Sequence, residues 1–168
     1  MATSGVDCFS KTILKLNHLI GDDLVLYLLE TAGSKGLTTT ELTGMIWSGL
    51  KQMIVDPQNV IKQRISTILD VLEEQEVITQ YRRRFCLDGE QVLKLTVDTL
   101  VESSTILFLI GTSERGLTIH QISREVWNVW NSVLKGKKNQ VFAKAIDKVN
   151  ELAQDTLIFK ERSHFFLL

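Results

Sequence analysis

The sequence repeats itself after 80 residues without a gap, and this internal duplication constrains the fold more than any other feature. The tripeptide Gly36-Leu37-Thr38 recurs as Gly116-Leu117-Thr118, and Trp47 recurs as Trp127. Identical pairs continue to the end of each copy: Asn59 with Asn139, Leu72 with Leu152, Ile78 with Ile158, Arg82 with Arg162, Phe85 with Phe165 and Leu87 with Leu167. We therefore expect one structural unit twice, in residues 9–88 and in residues 91–168.

Each copy opens with apolar residues at helical spacing. The first copy has an amphipathic stretch from Phe9 to Ile20, and the second has one from Val92 to Leu100. A more apolar helix follows in each copy and is predicted over Asp22–Thr31 and over Ser103–Gly111. The residues predicted to cap these helices at their N-termini are Asp22 or Asp23 and Ser103. The glycines predicted to end them are Gly33, Gly36, Gly111 and Gly116.

A capping box begins the next helix in both copies. Thr38 and Glu41 have the Thr-x-x-Glu/Gln spacing of such a box, and so do Thr118 and Gln121. In this motif the threonine hydroxyl and the Glu or Gln side chain each bind a backbone N–H that would otherwise lack a partner. Core packing is predicted for the tryptophans of these helices, Trp47, Trp127 and Trp130, with a role in an interface as the alternative for Trp130.

A polar break and a third helix complete the helical part of each copy. The only proline, Pro57, lies in the first break and cannot occupy the middle of a helix. The third helix is predicted over residues 60–75 and 141–154. Its predicted buried positions are Ile61, Ile65, Ile68, Leu69 and Leu72 in one copy and Val141, Ala145, Val149 and Leu152 in the other. Two apolar strands around a charged turn then predict a hairpin, with its turn at residues 82–84 or 161–164.

Three helices followed by a hairpin is the order of a winged helix, and the chain resembles tandem winged-helix proteins. The pattern Gly-Leu-Thr-x-x-Glu/Gln-Leu/Ile, at residues 36–42 and 116–122, precedes a long third helix that ends in Leu-x-x-x-x-x-Ile. This combination is similar to modules of the RNA polymerase III machinery and of related initiation factors. The resemblance implies a mainly α (α+β) fold of two tandem winged-helix domains, each with three or four helices and a β-hairpin wing. Units of this size bury modest cores, so we expect the two to pack together.

The sequence offers little to support catalysis. The three histidines, His18, His120 and His164, lie far apart, and none has a metal-ligand spacing with a cysteine. The glycines occur singly at predicted helix ends, which is unlike a phosphate-binding loop. We therefore expect a non-catalytic protein without a metal, a cofactor or a small-molecule substrate.

Cysteine usage and hydropathy bear on the cellular compartment. Two isolated cysteines, Cys8 and Cys86, form no disulfide framework and suit a reducing environment. The start of the sequence lacks the basic and apolar segments of a signal peptide, and no apolar run reaches the roughly 18 residues of a membrane helix. We expect a nuclear location, with the cytosol as the alternative, and no contact with a membrane.

The first copy carries the candidate DNA-binding surface. The outward face of its third helix is predicted to present Asn59, Lys62, Gln63 and Ser66, whose side chains can hydrogen-bond base edges and phosphates. The densest basic cluster is Arg82, Arg83 and Arg84 in the hairpin turn. These arginines have two interpretations, a phosphate clamp or a solvated turn whose charges pair with the acidic residues Glu73, Glu74 and Glu76. The same acidic residues would limit how deeply the helix could enter a groove.

The second copy differs at the matching helix positions. Where the first copy has Lys62 and Ser66, the second has Phe142 and Ile146. Burial of two such side chains is favourable by about 1.5–3 kcal/mol each, so we expect this face to pack on the first unit or on a partner protein. Lys137 and Lys138 give this copy a positive side, which is interpreted either as a second DNA contact or as a solvated surface.

Two functional hypotheses follow. The first is a module of a nuclear transcription or chromatin complex that binds other protein subunits and contacts double-stranded DNA weakly. The second is a pure protein scaffold, as in the tandem winged-helix subunits of an endosomal sorting complex, which bind no DNA. A net charge of -1 argues against a generally cationic nucleic-acid binder but is compatible with a local basic patch.

Overall fold

The computed structural model describes residues 19–168, which are mainly helical and include two small antiparallel hairpins. The elements of the first unit are α1 (Asp22–Ala32), α2 (Thr39–Leu50), α3 (Gln58–Glu74), β1 (Ile78–Tyr81) and β2 (Arg84–Leu87). Those of the second are α4 (Val97–Leu100), α5 (Ser103–Thr112), α6 (Ile119–Trp130), α7 (Lys138–Gln154), β3 (Ile158–Glu161) and β4 (His164–Leu167). The predicted α+β class is confirmed at this level. Of the amphipathic stretch predicted at 9–20, residues 9–18 lie outside the described part of the chain.

The duplication in the sequence is also a duplication in structure. The helices α2 and α6 are related by the 80-residue offset at both ends, and so are α3 and α7. The hairpins follow the same offset, since β1 pairs with β2 and β3 pairs with β4 over matching residues. In each unit a single bridge joins the hairpin to the segment before the capping box, Leu37 to Phe85 and Leu117 to Phe165.

Both predicted capping boxes are confirmed. The hydroxyl of Thr38 accepts a hydrogen bond from the N–H of Glu41 at 3.1 Å, and the Thr38 N–H donates to Glu41 Oε1 at 3.2 Å. The N–H of Gln121 donates to the Thr118 hydroxyl at 3.1 Å, and the Thr118 N–H donates to Gln121 Oε1 at 2.9 Å. Two N–H groups at the start of each helix thereby gain partners, which stabilises a helix by about 1 kcal/mol.

The N-terminal caps predicted for α1 and α5 are wrong. The N-cap residues are Gly21 and Glu102, and neither makes a side-chain capping bond to its own helix. Gly33 ends α1 with a positive φ of 66°, as predicted. The helix α5 ends at Thr112, one residue beyond Gly111 and so near this glycine as predicted, but its C-cap residue is Ser113 in an extended conformation. The position of Gly111 is explained by its neighbour in the first unit, described below.

The stretch predicted over Val92–Leu100 is not one continuous helix. A single turn of 3₁₀ helix covers Val92–Lys94, and α4 begins only after Thr96. The Thr96 hydroxyl accepts the N–H of Thr99 at 3.4 Å and so begins a new helix. In consequence Val92 is buried, whereas the next apolar residue of the stretch, Leu93, is 60% exposed.

One hydrophobic core extends through both units. The buried positions predicted for the third helices are all buried, and Trp130 is fully enclosed. Trp47 and Trp127 are half-buried and pack against the same core. Helices α1 and α5 lie at its centre, because every residue in 23–29 and in 103–110 is buried. The expected packing of the two units against each other is therefore present.

Two glycines allow the units to approach closely where α2 crosses α5. A Cβ atom at Gly111 would overlap the carbonyl oxygen of Gly49. A Cβ atom at Gly49 would lie 2.6 Å from the ring of Phe108. Both contacts are too close for a real Cβ atom, so a side chain at position 111 would force the two backbones apart, and one at position 49 would displace the Phe108 ring. In the described residues, no helix is long and apolar enough to cross a membrane.

Candidate nucleic-acid interface

The tip of the first hairpin is a two-residue turn. Tyr81 pairs with Arg84 at the end of the ladder, and only Arg82 and Arg83 lie between the strands. Their φ angles are 51° and 67°, both in the left-handed region. Two consecutive positive φ angles are typical of a type I′ turn, the hairpin turn that best matches the twist of two paired strands. The turn was predicted to include Arg84, and this is wrong, because Arg84 is the first residue of β2.

Arg84 has a partner within its own unit. Its Nη1 lies 2.7 Å from Oε1 of Glu41, the glutamate of the first capping box. The hydrogen bond from the Thr38 backbone is the main cause that lowers the pKa of Glu41, and the charge of Arg84 lowers it further. Of the three arginines, this one is neutralised locally, by Glu41 and not by the acidic end of α3.

Arg82 and Arg83 remain available to a ligand. Both side chains are exposed, and neither takes part in an ion pair within residues 19–168. The guanidinium of Arg82 lies 5.2 Å from the centre of the Tyr81 ring, within the range of a cation–π contact. Tyr81 itself is 73% exposed. The tip thus presents one aromatic ring and two positive charges to solvent.

The second hairpin has the same backbone and different chemistry. Its turn residues Arg162 and Ser163 have φ angles of 50° and 71°, within a few degrees of those in the first hairpin. The residues that flank this turn are Glu161 and His164. When His164 is counted as neutral, residues 161–164 carry one positive and one negative charge, whereas residues 81–84 carry three positive charges. Arg162 occupies the position of Arg82, whereas Tyr81 and Arg83 are replaced, so formation of the hairpin does not require the side chains of Tyr81 and Arg83.

The outer face of α3 presents most of the predicted polar residues. Asn59, Lys62 and Gln63 are exposed, and Ser66 is half-buried. The opposite face of this helix lies in the core. The C-terminal half of the outer face is acidic, with Asp70, Glu73 and Glu74 exposed. A phosphate backbone would therefore be attracted only to the N-terminal half.

The matching helix of the second unit, α7, is less open than its sequence suggests. Phe142 is half-buried, with the His120 ring edge-on at 6.0 Å and Lys138 Nζ at 5.7 Å from the ring centre. Ile146 is 37% exposed, and its side chain is the more exposed of the predicted pair. Lys137 and Lys138 are both exposed at the start of this helix. The predicted apolar face is thus reduced to Ile146 and one part of Phe142.

Sequence reasoning did not find a buried carboxylate between the two units. Asp23 of α1 is 3% exposed and accepts three hydrogen bonds from the first turn of α5. The donors are the Ser104 hydroxyl, the Thr105 hydroxyl at 2.7 Å and the Thr105 N–H at 2.9 Å. Asp23 therefore caps a helix of the other unit. A charged residue inside an apolar helix was the only signal in the sequence, because its partners lie more than 80 positions away.

An open groove of about 520 Å³ borders Asp23 and contains further charged side chains. Lys148 of α7 lies 3.2 Å from Glu102 and 3.3 Å from Glu151, and Lys144 lies 3.3 Å from Asp98. The pairs with Asp98 and Glu102 join α7 to α4 and to the start of α5, whereas the pair with Glu151 lies within α7. Among the described residues, no group of three or more His, Cys, Asp or Glu is arranged to hold a metal ion.

No protein-family model, curated protein or solved structure matches this chain. A function must therefore be inferred from the surfaces that the chain itself presents. Of the surfaces predicted from the sequence, the first hairpin tip is the most positively charged and the least internally paired within residues 19–168.

Proposed function

We propose that the chain is a non-catalytic pair of winged-helix domains that serves a nuclear transcription or chromatin complex. The order of three helices and a hairpin supports this assignment, and so does the bridge from Leu37 to Phe85. That bridge adds a short third strand to the hairpin from the segment between the first and second helices. In this proposal the first unit contacts duplex DNA and the second binds a protein subunit. The resemblance to modules of the RNA polymerase III machinery suggests the kind of complex.

The observation that carries the DNA proposal is the pair of arginines at the first hairpin tip. A non-glycine residue in the left-handed region is strained by about 1 kcal/mol or more. Asn-Gly is the sequence that a type I′ turn prefers, so Arg82-Arg83 is an unfavourable choice for the turn itself. The second hairpin keeps an arginine at the position of Arg82 but has Ser163 at that of Arg83, so the same backbone forms without the second arginine. Two unpaired guanidinium groups at this place are explained by an anionic ligand, and the phosphates of DNA fit them.

The expected binding is weak and has little sequence preference. Arg82, Arg83 and Lys62 supply at most three phosphate contacts in the first unit. The acidic end of α3 repels the backbone and keeps the helix shallow in the groove. Each contact contributes about -0.9 to the slope of log affinity against log salt, so we expect a slope of roughly -2 to -3.

The double variant Arg82→Asn/Arg83→Gly tests this function without disturbing the hairpin. It removes both charges and introduces the preferred turn sequence, so the variant should be at least as stable as the wild type. We expect its affinity for duplex DNA at about 50 mM salt to fall roughly tenfold or more and its salt slope to become shallower by about 2. Fluorescence anisotropy with a labelled duplex measures both quantities.

A matched control removes two exposed positive charges elsewhere. Lys94→Ala/Arg124→Ala changes the net charge by the same amount, and both side chains are exposed. This variant should bind DNA nearly as the wild type does. Equal losses in the two variants would mean that only net charge matters, and no binding by the wild type at low salt would exclude the DNA contact.

The exposure of Ile146 favours a protein partner, which is also the basis of the alternative proposal, a scaffold that binds no DNA. Ile146→Asp places a charge on the surface without opening the core, while Asn150→Asp adds the same charge to an exposed polar position of the same helix. We expect at least one protein that co-purifies with the tagged wild type and the Asn150 variant to be lost with the Ile146 variant. Identical sets by mass spectrometry would contradict this surface.

A further inference from the structure

The tip of the first hairpin contains one group that phosphate binding does not use, the aromatic ring of Tyr81. This residue ends β1 and is 73% exposed, while the inward-facing residues of the hairpin, Ile78 and Phe85, are buried. Tyr81 therefore contributes little to the core. An exposed ring leaves apolar area in water, which is unfavourable unless a ligand covers it.

The architecture of the hairpin does not account for an aromatic residue at this position. In the second hairpin the equivalent residue is Glu161, and it pairs with His164 as Tyr81 pairs with Arg84. The backbone is the same in both cases. A single exposed aromatic residue is common on protein surfaces. Here, however, the unpaired guanidinium group of Arg82 lies 5.2 Å from the centre of the ring, and a second unpaired arginine, Arg83, follows it in the turn.

An aromatic ring next to arginines is suited to a nucleobase and its phosphate. Stacking on an aromatic side chain is tolerant of sequence, because every base has a π face. Within a continuous duplex both faces of a base are covered by the neighbouring base pairs. Insertion of a ring between two stacked base pairs costs a few kcal/mol, so Tyr81 stacks most readily on a base that is unpaired or that ends a duplex.

We propose that Tyr81, Arg82 and Arg83 together bind DNA where an unpaired base adjoins a duplex. Tyr81 stacks on the free face of that base, and the two arginines hold the flanking phosphates. This inference rests on the proposed DNA-binding function and specifies its substrate. It also explains why α3 need not enter the groove deeply, because the hairpin tip, and not α3, recognises the unpaired base.

The test compares two DNA molecules that differ in one nucleotide. The first is a duplex whose two ends are closed by linkers that contain no bases, and the second is the same duplex with one unpaired 2-aminopurine in its centre. We expect the full-length chain to bind the second molecule roughly tenfold more tightly, which corresponds to stacking of one base. The fluorescence of 2-aminopurine should fall on binding, because stacking on the ring quenches it.

Variants at position 81 separate stacking from charge. Tyr81→Phe keeps the ring and should retain the preference and the quenching. Tyr81→Ser should lose the quenching and reduce the preference to less than about threefold, with its affinity for the closed duplex changed by less than about twofold. Leu93→Ser, which also removes a largely exposed apolar side chain, is the control and should behave as the wild type.

The outcomes distinguish this inference from the function on which it rests. Binding of both DNA molecules with equal affinity, or equal losses for both in Tyr81→Ser, would overturn the stacking role and leave a simple phosphate contact. Failure of the wild type to bind either molecule would overturn the DNA-binding function and the inference together. Since Tyr81 is outside the core, thermal unfolding of each variant should match the wild type.

Discussion

At the scale of single residues, Asp23 couples the stability of the chain to pH. Burial raises the pKa of its carboxyl group, and the hydrogen bonds from Ser104 and Thr105 offset only part of this effect. In the folded chain Asp23 therefore keeps its proton to a higher pH than in the unfolded chain. Its contribution to stability is full in acid and is lost as the pH rises through the folded pKa.

The variant Asp23→Asn isolates this contribution because an amide does not titrate. We expect the free energy of unfolding of the wild type, relative to this variant, to fall as the pH rises from about 4 towards neutrality. Each unit by which the pKa is raised corresponds to about 1.4 kcal/mol of this difference at full ionisation. Urea denaturation of both proteins across this pH range measures it.

Asp22→Asn is the matched control for this measurement. Asp22 lies beside Asp23 on the same helix, but its side chain is exposed. The difference between the wild type and this variant should show no comparable fall with pH. A relative stability that rises with pH in the Asp23 comparison would mean that the hydrogen bonds outweigh burial.

At the scale of helices and strands, the sequence predicted what local spacing determines. The capping boxes at Thr38 and Thr118 need only two residues three positions apart, and both are present. The buried faces of α3 and α7 follow the 3.6-residue period of an amphipathic helix and are also as predicted. Both signals lie within one helix, so no knowledge of distant neighbours is needed.

Elements whose ends depend on distant contacts were predicted less well. The length of the hairpin turn depends on the register of β1 and β2, which places Arg84 in a strand next to Glu41. Gly111 resembled a helix end in sequence but is needed where α5 meets α2. Nothing near these residues in the sequence reveals a neighbour that lies about 40 to 60 positions away.

The same limit applies to the candidate site. The exposed polar residues of α3 and the basic turn could be predicted, because charge and helical period identify outward positions. The sequence could not predict that one of the three arginines is paired and two are unpaired, because this depends on where Glu41 lies. The exposure of the Tyr81 ring and its position next to Arg82 also could not be predicted, because both depend on the geometry of the hairpin.

At the scale of the whole molecule, the two units are joined by a contact that tolerates no side chain at one point. Gly111 faces the backbone of Gly49, and a backbone carbonyl cannot rotate away as a flexible side chain would. The hydrogen-bonded Asp23 and the shared core add to this interface. We therefore expect residues 19–168 to unfold in one cooperative transition and not as two independent units.

The variant Gly111→Ala tests the docking of the units, because two effects predict opposite signs. Alanine favours a helix over glycine by up to about 1 kcal/mol, so the variant would be stabilised if the units did not touch here. If they dock as described, the added methyl group forces α2 and α5 apart, and overpacking of this kind destabilises by about 1–3 kcal/mol or more. We expect the second outcome, measured as a lower free energy of unfolding in urea.

Gly44→Ala provides the reference for the helix effect alone. Gly44 lies in α2 with no other atom near a Cβ built on it, so alanine should stabilise the chain there by about 0.5–1 kcal/mol. A Gly111→Ala protein that is stabilised like Gly44→Ala would show that the units are not in contact at this crossing in solution. Loss of cooperativity together with destabilisation would instead show that the glycine contact is what makes the two copies fold as one body, because separated units would unfold independently.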